Sequence, residues 1–191
     1  ADPGTRIAFT QPGMTTSLGG KLEIPIVLTG TIVPNQITAA ASDPTLRVAE
    51  YLKAVTYYQQ FAPVIFLENS HYPLERHPEF QATPRLQVKR FAPSANPERG
   101  KGYQEFEMLD AWLAAEPQPP ERWLKITGRY RVVNVRDILA ECAADAKPAL
   151  IVDQIRRSKM ARTYLFCTTS EFYGREIAGL QSQLAQTRSK K

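Results

Sequence analysis

Cysteine is scarce in this sequence. Cys142 and Cys167 are the only two among 191 residues. They form no Cys-x-x-Cys pair, and no cysteine–histidine spacing suits a zinc ion. This argues against a disulfide framework or a structural metal centre as the basis of the fold. Both cysteines lie in apolar or helical surroundings, so the expectation is reduced core thiols, with a bridge between the two left open because they lie close in sequence. Long apolar runs are missing as well. No window approaches the roughly 18–20 uninterrupted apolar residues of a membrane span, and the longest stretches, around Ile24–Leu28 and Ala62–Leu67, have the length of strands. Charge of one sign is also in short supply. Lys and Arg number 24 against 19 Asp and Glu, a net charge of +5, and the terminal Arg188-Ser189-Lys190-Lys191 carries three of those charges. The body is therefore close to neutral, which argues against a dedicated nucleic-acid binder. The aromatics fall on core positions of expected helices and strands rather than interleaving along a basic face, which speaks against an RNA-binding surface. The tail reads as a solvated end, with contact to a membrane surface or an acidic partner as the alternative.

What is present is ordinary for a globular domain: 43% hydrophobic and 23% charged residues. A chain of this length removes roughly 70% of its unfolded surface from water and needs no staples. The chain starts at Ala1 rather than Met, and Ala1-Asp2-Pro3-Gly4 reads as a processing remnant. The expected organisation is a flexible arm over 1–20, one α/β domain over 21–187 and a basic tail over 188–191.

Leu22–Thr29 is a β-rich apolar run between Gly20 and Gly30 and reads as a buried strand. Asp43-Pro44 opens a helix, the aspartate as cap and the proline at the first helical position. Val48, Tyr51, Leu52, Val55 and Tyr58 then form an apolar stripe up to Phe61. Pro63–Leu67 is a second apolar run, which stops abruptly at Glu68-Asn69-Ser70. Apolar runs joined by an amphipathic helix mark a βαβ unit with a parallel sheet. Arg85–Phe91 reads as a third strand, Gly102–Glu116 as a helix stopped by Pro117–Pro120, and Trp123–Ile126 as a short strand. Thr127-Gly128 turns the chain into an extended Tyr130–Val133. Asn134–Ala144 reads as a helix, Ala149–Val152 and Thr163–Cys167 as strands, and Ser170–Gln186 as one closing helix. The fold class is α/β: a three-layer, Rossmann-like, mostly parallel sheet flanked by helices.

Three constellations carry candidate chemistry. Glu68, Asn69 and Ser70, followed by His71, offer a carboxylate, an amide and a hydroxyl at a strand end, where open α/β sheets bind ligands; the alternative is a polar turn with a solvated histidine. Arg99-Gly100-Lys101-Gly102-Tyr103-Gln104-Glu105 places glycines and a lysine at a helix start, where free N–H groups favour anions. That is the chemistry of a diphosphate site, although not the spacing of a P-loop. Glu105 is placed to take a proton from an acceptor hydroxyl, and the alternative is a well-capped surface helix. Lys125-Ile126-Thr127-Gly128-Arg129-Tyr130-Arg131 sets three cations around a tight turn, and Arg129 offers a bidentate fork for phosphate or carboxylate. The alternative there is a hairpin with solvated basic residues.

The order of these motifs, Ile26-Val27-Leu28-Thr29-Gly30, then Val64 to Ser70, then Gly100-Lys101-Gly102-Tyr103-Gln104-Glu105, then Lys125-Ile126-Thr127-Gly128-Arg129-Tyr130, resembles small bacterial glycosyltransferases of surface-polysaccharide assembly. Met160–Cys167 and Glu171-Phe172-Tyr173 extend the resemblance, which spans residues 22–175. Its most specific piece is Lys-Ile-Thr-Gly-Arg-Tyr. The resemblance implies a GT-A-like domain that moves a sugar from a nucleotide-sugar donor to a growing glycan or lipid-linked glycan such as lipopolysaccharide or capsule. Thr29, Gly30, Glu68, Asn69 and Ser70 would border the nucleotide. Lys101 with Gly102, Lys125, and Arg129 with Gly128 would face the diphosphate. Glu105 and Arg129 would be the catalytic pair.

The Asp-x-Asp metal motif of many such enzymes is absent, and Asp153 stands alone after a strand. The expectation is therefore transfer with no cofactor and no divalent metal, in which cations offset the charge on the leaving nucleoside diphosphate. The chain ends soon after Phe172-Tyr173, so a partner or a further domain is expected to supply the acceptor side. The expected setting is cytoplasmic, including the peripheral inner face of the membrane. A non-catalytic nucleotide- or glycan-binding module derived from such a transferase is the rival reading.

Overall fold

The computed structural model describes residues 23–34, 43–144, 148–155 and 160–183. The arm expected over 1–20 and the tail 188–191 lie outside them. Six strands form one sheet: β1 (Ile26–Gly30), β2 (Val64–Glu68), β3 (Leu86–Arg90), β4 (Arg122–Thr127), β5 (Leu150–Ile155) and β6 (Met160–Thr169), in the order β3-β2-β1-β4-β6-β5. β1, β2, β3 and β4 run parallel. β6 pairs antiparallel with β4, and β5 antiparallel with β6, with a register shift between Val152 and Asp153.

The helices fall on both faces of the sheet. α1 (Pro44–Tyr58) links β1 to β2, and α2 (Lys101–Ala115) links β3 to β4. The first crossover moves to one side of β1 and the second returns to the other. Right-handed connections therefore place α1 and α2 on opposite faces. Burial reports this directly. Ile26, Leu28, Val64, Phe66, Leu124 and Ile126 pack with α1, whereas Val27, Ile65, Leu67 and Trp123 pack with α2. α3 (Val135–Cys142) joins the α1 layer through Val135 and Cys142. The result is a three-layer α/β domain with a mostly parallel sheet.

Local chemistry explains the elements. Asp43 caps α1 by accepting from the Thr45 amide at 2.9 Å, with Pro44 at the start of the helix. The second core centres on Trp112 and Trp123, whose rings meet edge to face at 5.1 Å, with Tyr173 5.2 Å from Trp123. Cys142 and Cys167 are free, buried thiols. No described helix is long and apolar enough to cross a membrane.

Two sequence expectations are corrected. The closing segment is not one helix. One turn, α4 (Ser170–Phe172), continues as a π-helical stretch, Tyr173–Ile177, and the chain breaks before α5 (Leu180–Gln183). Gly179 takes a positive φ of 80°, a conformation that ends helices. Asp110 of α2 holds it there, accepting from the Gly179 amide at 3.0 Å and the Tyr173 hydroxyl at 2.8 Å. The second is the alternative of a hairpin after Gly128: the extended Tyr130–Val133 is not a strand and does not pair with β4. Tyr58, at the end of α1, fastens it as a loop, donating to the Tyr130 carbonyl at 2.6 Å and accepting from the Val132 amide at 3.0 Å.

Candidate functional site

The strand order turns back between β1 and β4, since β2 and β3 lie on one side of β1 and β4 on the other. In open α/β sheets the crevice beyond the carboxyl ends of such a pair is the usual ligand site. A cleft of about 260 Å³ opens there, lined by the ends of β1 (Thr29, Gly30) and β4 (Thr127), by Thr31, Pro34 and Arg129 beyond them, by Arg47 and Tyr51 of α1, by Lys101, Gly102, Gln104, Glu105 and Met108 of α2, and by Thr163 of β6. Of the residues singled out from the sequence, Thr29, Gly30, Lys101, Gly102, Glu105 and Arg129 line this cleft.

Glu105 is the hub. Its Oε1 accepts from the hydroxyls of Thr29 and Thr127, the latter at 2.9 Å, and pairs with Lys125 Nζ at 2.8 Å. Residue alternation on β4 turns Lys125 towards α2, where its side chain is 0% exposed. Its ammonium donates to the Thr127 hydroxyl at 2.9 Å and to the Thr163 carbonyl at 2.7 Å as well as to Glu105. That uses all three of its N–H donors. Burial pulls this lysine's pKa below its usual value, and Glu105 opposes the shift. Lys125 thus stands behind Glu105 rather than in the open cleft.

Glu68, Asn69 and Ser70 are buried and do not line the cleft. The last residue of β2 and the two that follow it clamp three consecutive residues after β1. Asn69 Oδ1 accepts from the Thr31 hydroxyl. Glu68 Oε1 accepts from the Ile32 amide at 3.1 Å, and Ser70 Oγ from the Val33 amide at 3.0 Å. Ser70 also donates to Glu68 through both its hydroxyl and its amide. The polar atoms of the triplet fix the loop that forms one wall of the cleft.

The glycines divide in the same way. A Cβ on Gly128 would sit 2.6 Å from the Thr29 carbonyl oxygen and 3.1 Å from the Tyr51 ring, and one on Gly30 would sit 2.6 Å from the Phe66 ring. Both are glycines because the two strand ends close around Tyr51. A Cβ on Gly102 would meet nothing within 4 Å. Space around Gly102, which lines the cleft, is open, and Gly100 caps that helix with a φ of 94° and no side-chain hydrogen bond.

Arg129 pairs with Glu50 of α1 at 2.7 Å at the rim. Arg47 and Tyr51 escaped the sequence reading as site residues. Arg47 donates through Nε to the Thr31 carbonyl at 3.0 Å and through Nη2 to the same oxygen. The Tyr51 hydroxyl accepts from the Thr31 amide at 2.9 Å. The signal for Arg47 was a charge on the same helical phase as Tyr51 and Tyr58. Among the described residues no cluster of three or more His, Cys, Asp or Glu side chains is arranged to hold a metal ion.

The chain matches no protein-family model and no curated protein sequence. Among solved structures it is similar to HddC from Yersinia pseudotuberculosis, with a TM-score of 0.48 and 8% identity over 78% of each chain. It is also similar to 4-diphosphocytidyl-2C-methyl-D-erythritolsynthase from Anaerococcus prevotii DSM 20548, with a TM-score of 0.43 and 7% identity over 78% of this chain and 73% of that one. Neither overlap reaches one half on that scale, so the reading of the cleft rests on its own residues.

Proposed function

We propose that the cleft binds a nucleotide sugar and that the protein transfers the sugar to a hydroxyl of a bacterial surface glycan or lipid-linked glycan. The observation that carries this reading is the convergence, at one strand-order reversal, of a carboxylate held by a buried lysine, a helix start that has a lysine and no side-chain cap, and an arginine at the rim. In the transfer step Glu105 takes the proton of the acceptor hydroxyl, and the acceptor oxygen forms its bond to the anomeric carbon. The bond from that carbon to the donor phosphate breaks, and its electron pair leaves with the nucleoside diphosphate. Lys101 and Arg129 face the charge that builds on the leaving group. Lys125 acts through Glu105, which it orients, and the Glu68–Ser70 clamp acts through the loop it holds.

One observation favours a second reading, nucleotide binding without transfer. Three donors already converge on Glu105 Oε1, which leaves that oxygen no free lone pair for an acceptor hydroxyl. A panel of UDP-, GDP-, CDP-, CMP- and dTDP-sugars separates the two. Transfer requires binding of one donor class together with its turnover, by hydrolysis or to an acceptor. It also requires that Arg129→Ala abolish turnover while the chain still folds. Wild-type turnover in that variant removes Arg129 from the mechanism. Binding with no turnover leaves the second reading.

A further inference from the structure

The cations around the cleft differ once their counter-charges are assigned. Lys125 is neutralised by Glu105 at 2.8 Å and Arg129 by Glu50 at 2.7 Å. Arg47 has no such partner. It is 7% exposed and lines the cleft, yet among the described residues no carboxylate lies within ion-pairing distance of it. Its hydrogen bonds run along one edge of the guanidinium, from Nε and Nη2 to the Thr31 carbonyl, with the Tyr51 hydroxyl 3.4 Å from Nη2. Its hydrogen bonds leave from Nε and Nη2 alone, and Nη1 is not among the side-chain atoms sealed from solvent without a partner. A buried charge left without a counter-ion is destabilising. A bound anion would supply the missing charge.

A second group points to the same kind of ligand. Lys101, in the first turn of α2, also has no carboxylate partner among the described residues and lines the cleft. The amides at that helix start have no side-chain cap, and they favour anions. The two cations for which the described residues supply no carboxylate both line one cavity, which suits a doubly charged ligand better than a single carboxylate.

We propose that Arg47 is the buried anchor of a diphosphate subsite. Its open guanidinium edge takes one phosphoryl group, and Lys101 with the first amides of α2 takes the other. This rests on the reading of the cleft as a nucleotide-sugar site. It adds the residue that recognises the part common to all nucleoside-diphosphate donors, whatever their base or sugar. Because the Nε and Nη2 edge is fixed on Thr31, Arg47 also ties occupancy of the subsite to the position of the loop after β1.

The test is calorimetric titration of inorganic pyrophosphate, and of UDP, GDP, CDP and dTDP, into the wild type, Arg47→Gln and Arg47→Lys at low salt. Urea unfolding is run on each protein. The wild type is expected to bind pyrophosphate and at least one nucleoside diphosphate. Arg47→Gln is expected to weaken both by about 10- to 100-fold, the worth of a hydrogen bond to a charged group. Arg47→Lys, which keeps the charge and loses the planar fork, is expected to weaken them less. Should Arg47→Gln unfold, pyrophosphate titrated into 15N-labelled wild type decides, and the Arg47 Nε–H resonance is expected to move with saturation. Unchanged affinity in folded Arg47→Gln, or an Nε–H resonance that stays still while other cleft resonances move, overturns the proposal and leaves the nucleotide-sugar reading standing. If the wild type binds neither pyrophosphate nor any nucleoside diphosphate, both fall.

Discussion

Lys125 Nζ lies 2.8 Å from Glu105 Oε1, and the two partners are unequally buried: the lysine side chain is 0% exposed and the glutamate 16%. Removing one member of a buried pair strands the other, so the two single substitutions differ in cost. Glu105→Gln leaves an ammonium under α2 with no counter-charge and is expected to cost about 3–5 kcal/mol. Lys125→Met leaves a carboxylate that keeps two hydroxyl donors and reaches the cleft, and is expected to cost about 1–3 kcal/mol. Urea midpoints at a constant slope measure both. Burial already lowers the Lys125 pKa, and Glu105 opposes it. In Glu105→Gln the shift deepens, so the unfolded chain binds the extra proton, and the variant's stability is expected to climb as pH rises towards the ordinary lysine value of 10.5. Equal costs for the two substitutions would show that the pair is not the buried unit described here.

Gly128 and Gly102 both flank the cleft region, and alanine is expected to act on them with opposite sign. At Gly128 the new Cβ would stand 2.6 Å from the Thr29 carbonyl oxygen. Backbone cannot yield as a side-chain tip does, so Gly128→Ala is expected to cost about 1–3 kcal/mol, the range for overpacking. At Gly102 the Cβ meets nothing within 4 Å, and alanine in a helix is worth about 0.5–1 kcal/mol over glycine. Gly102→Ala is therefore expected to melt later than the wild type while binding nucleoside diphosphates more weakly, because it adds a methyl group at a residue that lines the cleft. Thermal melts paired with calorimetry check both halves, and undiminished binding in Gly102→Ala would place the ligand away from the start of α2.

These contrasts mark where the sequence was readable. Continuous apolar runs gave β1 and β2, and the Asp43-Pro44 cap gave the start of α1, because those signals are local. Thr29-Gly30 at the end of β1 and Lys101-Gly102 at the start of α2 are local signals too, and all four residues line the cleft. The directions of side chains were not local. Glu68, Asn69 and Ser70 are polar at a strand end, yet their partners are Thr31, Ile32 and Val33, a pairing that exists only once β1 and β2 lie side by side. Lys125 has the local pattern of a cation for phosphate, yet β4 turns it under α2 towards Glu105. Arg47 and Lys125 did share a legible signal: each is a charge at a position whose period assigns it to the buried face. The break at Gly179 depends on Asp110, on another helix, and the helical periodicity of Ser170–Gln186 carries no trace of it.

Tyr58 gives a prediction at alkaline pH. Burial raises its phenol from 10.0 to about 12, and the phenol donates to the Tyr130 carbonyl at 2.6 Å while accepting from the Val132 amide at 3.0 Å. The pKa is raised in the folded state, so the stability it contributes is fully present below the unfolded value of 10.0 and is lost as pH rises through about 12. Tyr58→Phe is expected to cost about 1–3 kcal/mol at neutral pH, since it leaves two backbone groups of the 130–132 loop without their partner. The gap between variant and wild type is then expected to narrow above pH 10. Urea unfolding at neutral pH and at alkaline pH reads the difference, and a gap that stays constant would mean that the loop does not depend on the protonated phenol.

Glu68 makes the opposite test near acid pH. Burial raises its pKa above the ordinary 4.5, while the bonds from Ser70 and Ile32 pull the other way. Its Oε2 is buried without a hydrogen-bond partner, so ionisation puts charge where nothing receives it. Stability linked to this group is fully present below 4.5 and is lost as pH rises through the raised folded value. Glu68→Gln keeps an oxygen for the Ile32 and Ser70 amides and removes the titration. It is expected to be less sensitive than the wild type to pH between 4.5 and neutrality, and to gain on it across that window. Glu68→Ala also removes the titration, but it releases the Ile32 amide and the Ser70 clamp and is expected to cost about 2–4 kcal/mol below pH 4.5, the loss of more than one buried hydrogen bond, with a smaller cost towards neutrality. If Glu68→Gln tracks the wild type across the whole range, the carboxylate is ionised without penalty, and the clamp on the loop after β1 carries no proton-linked stability.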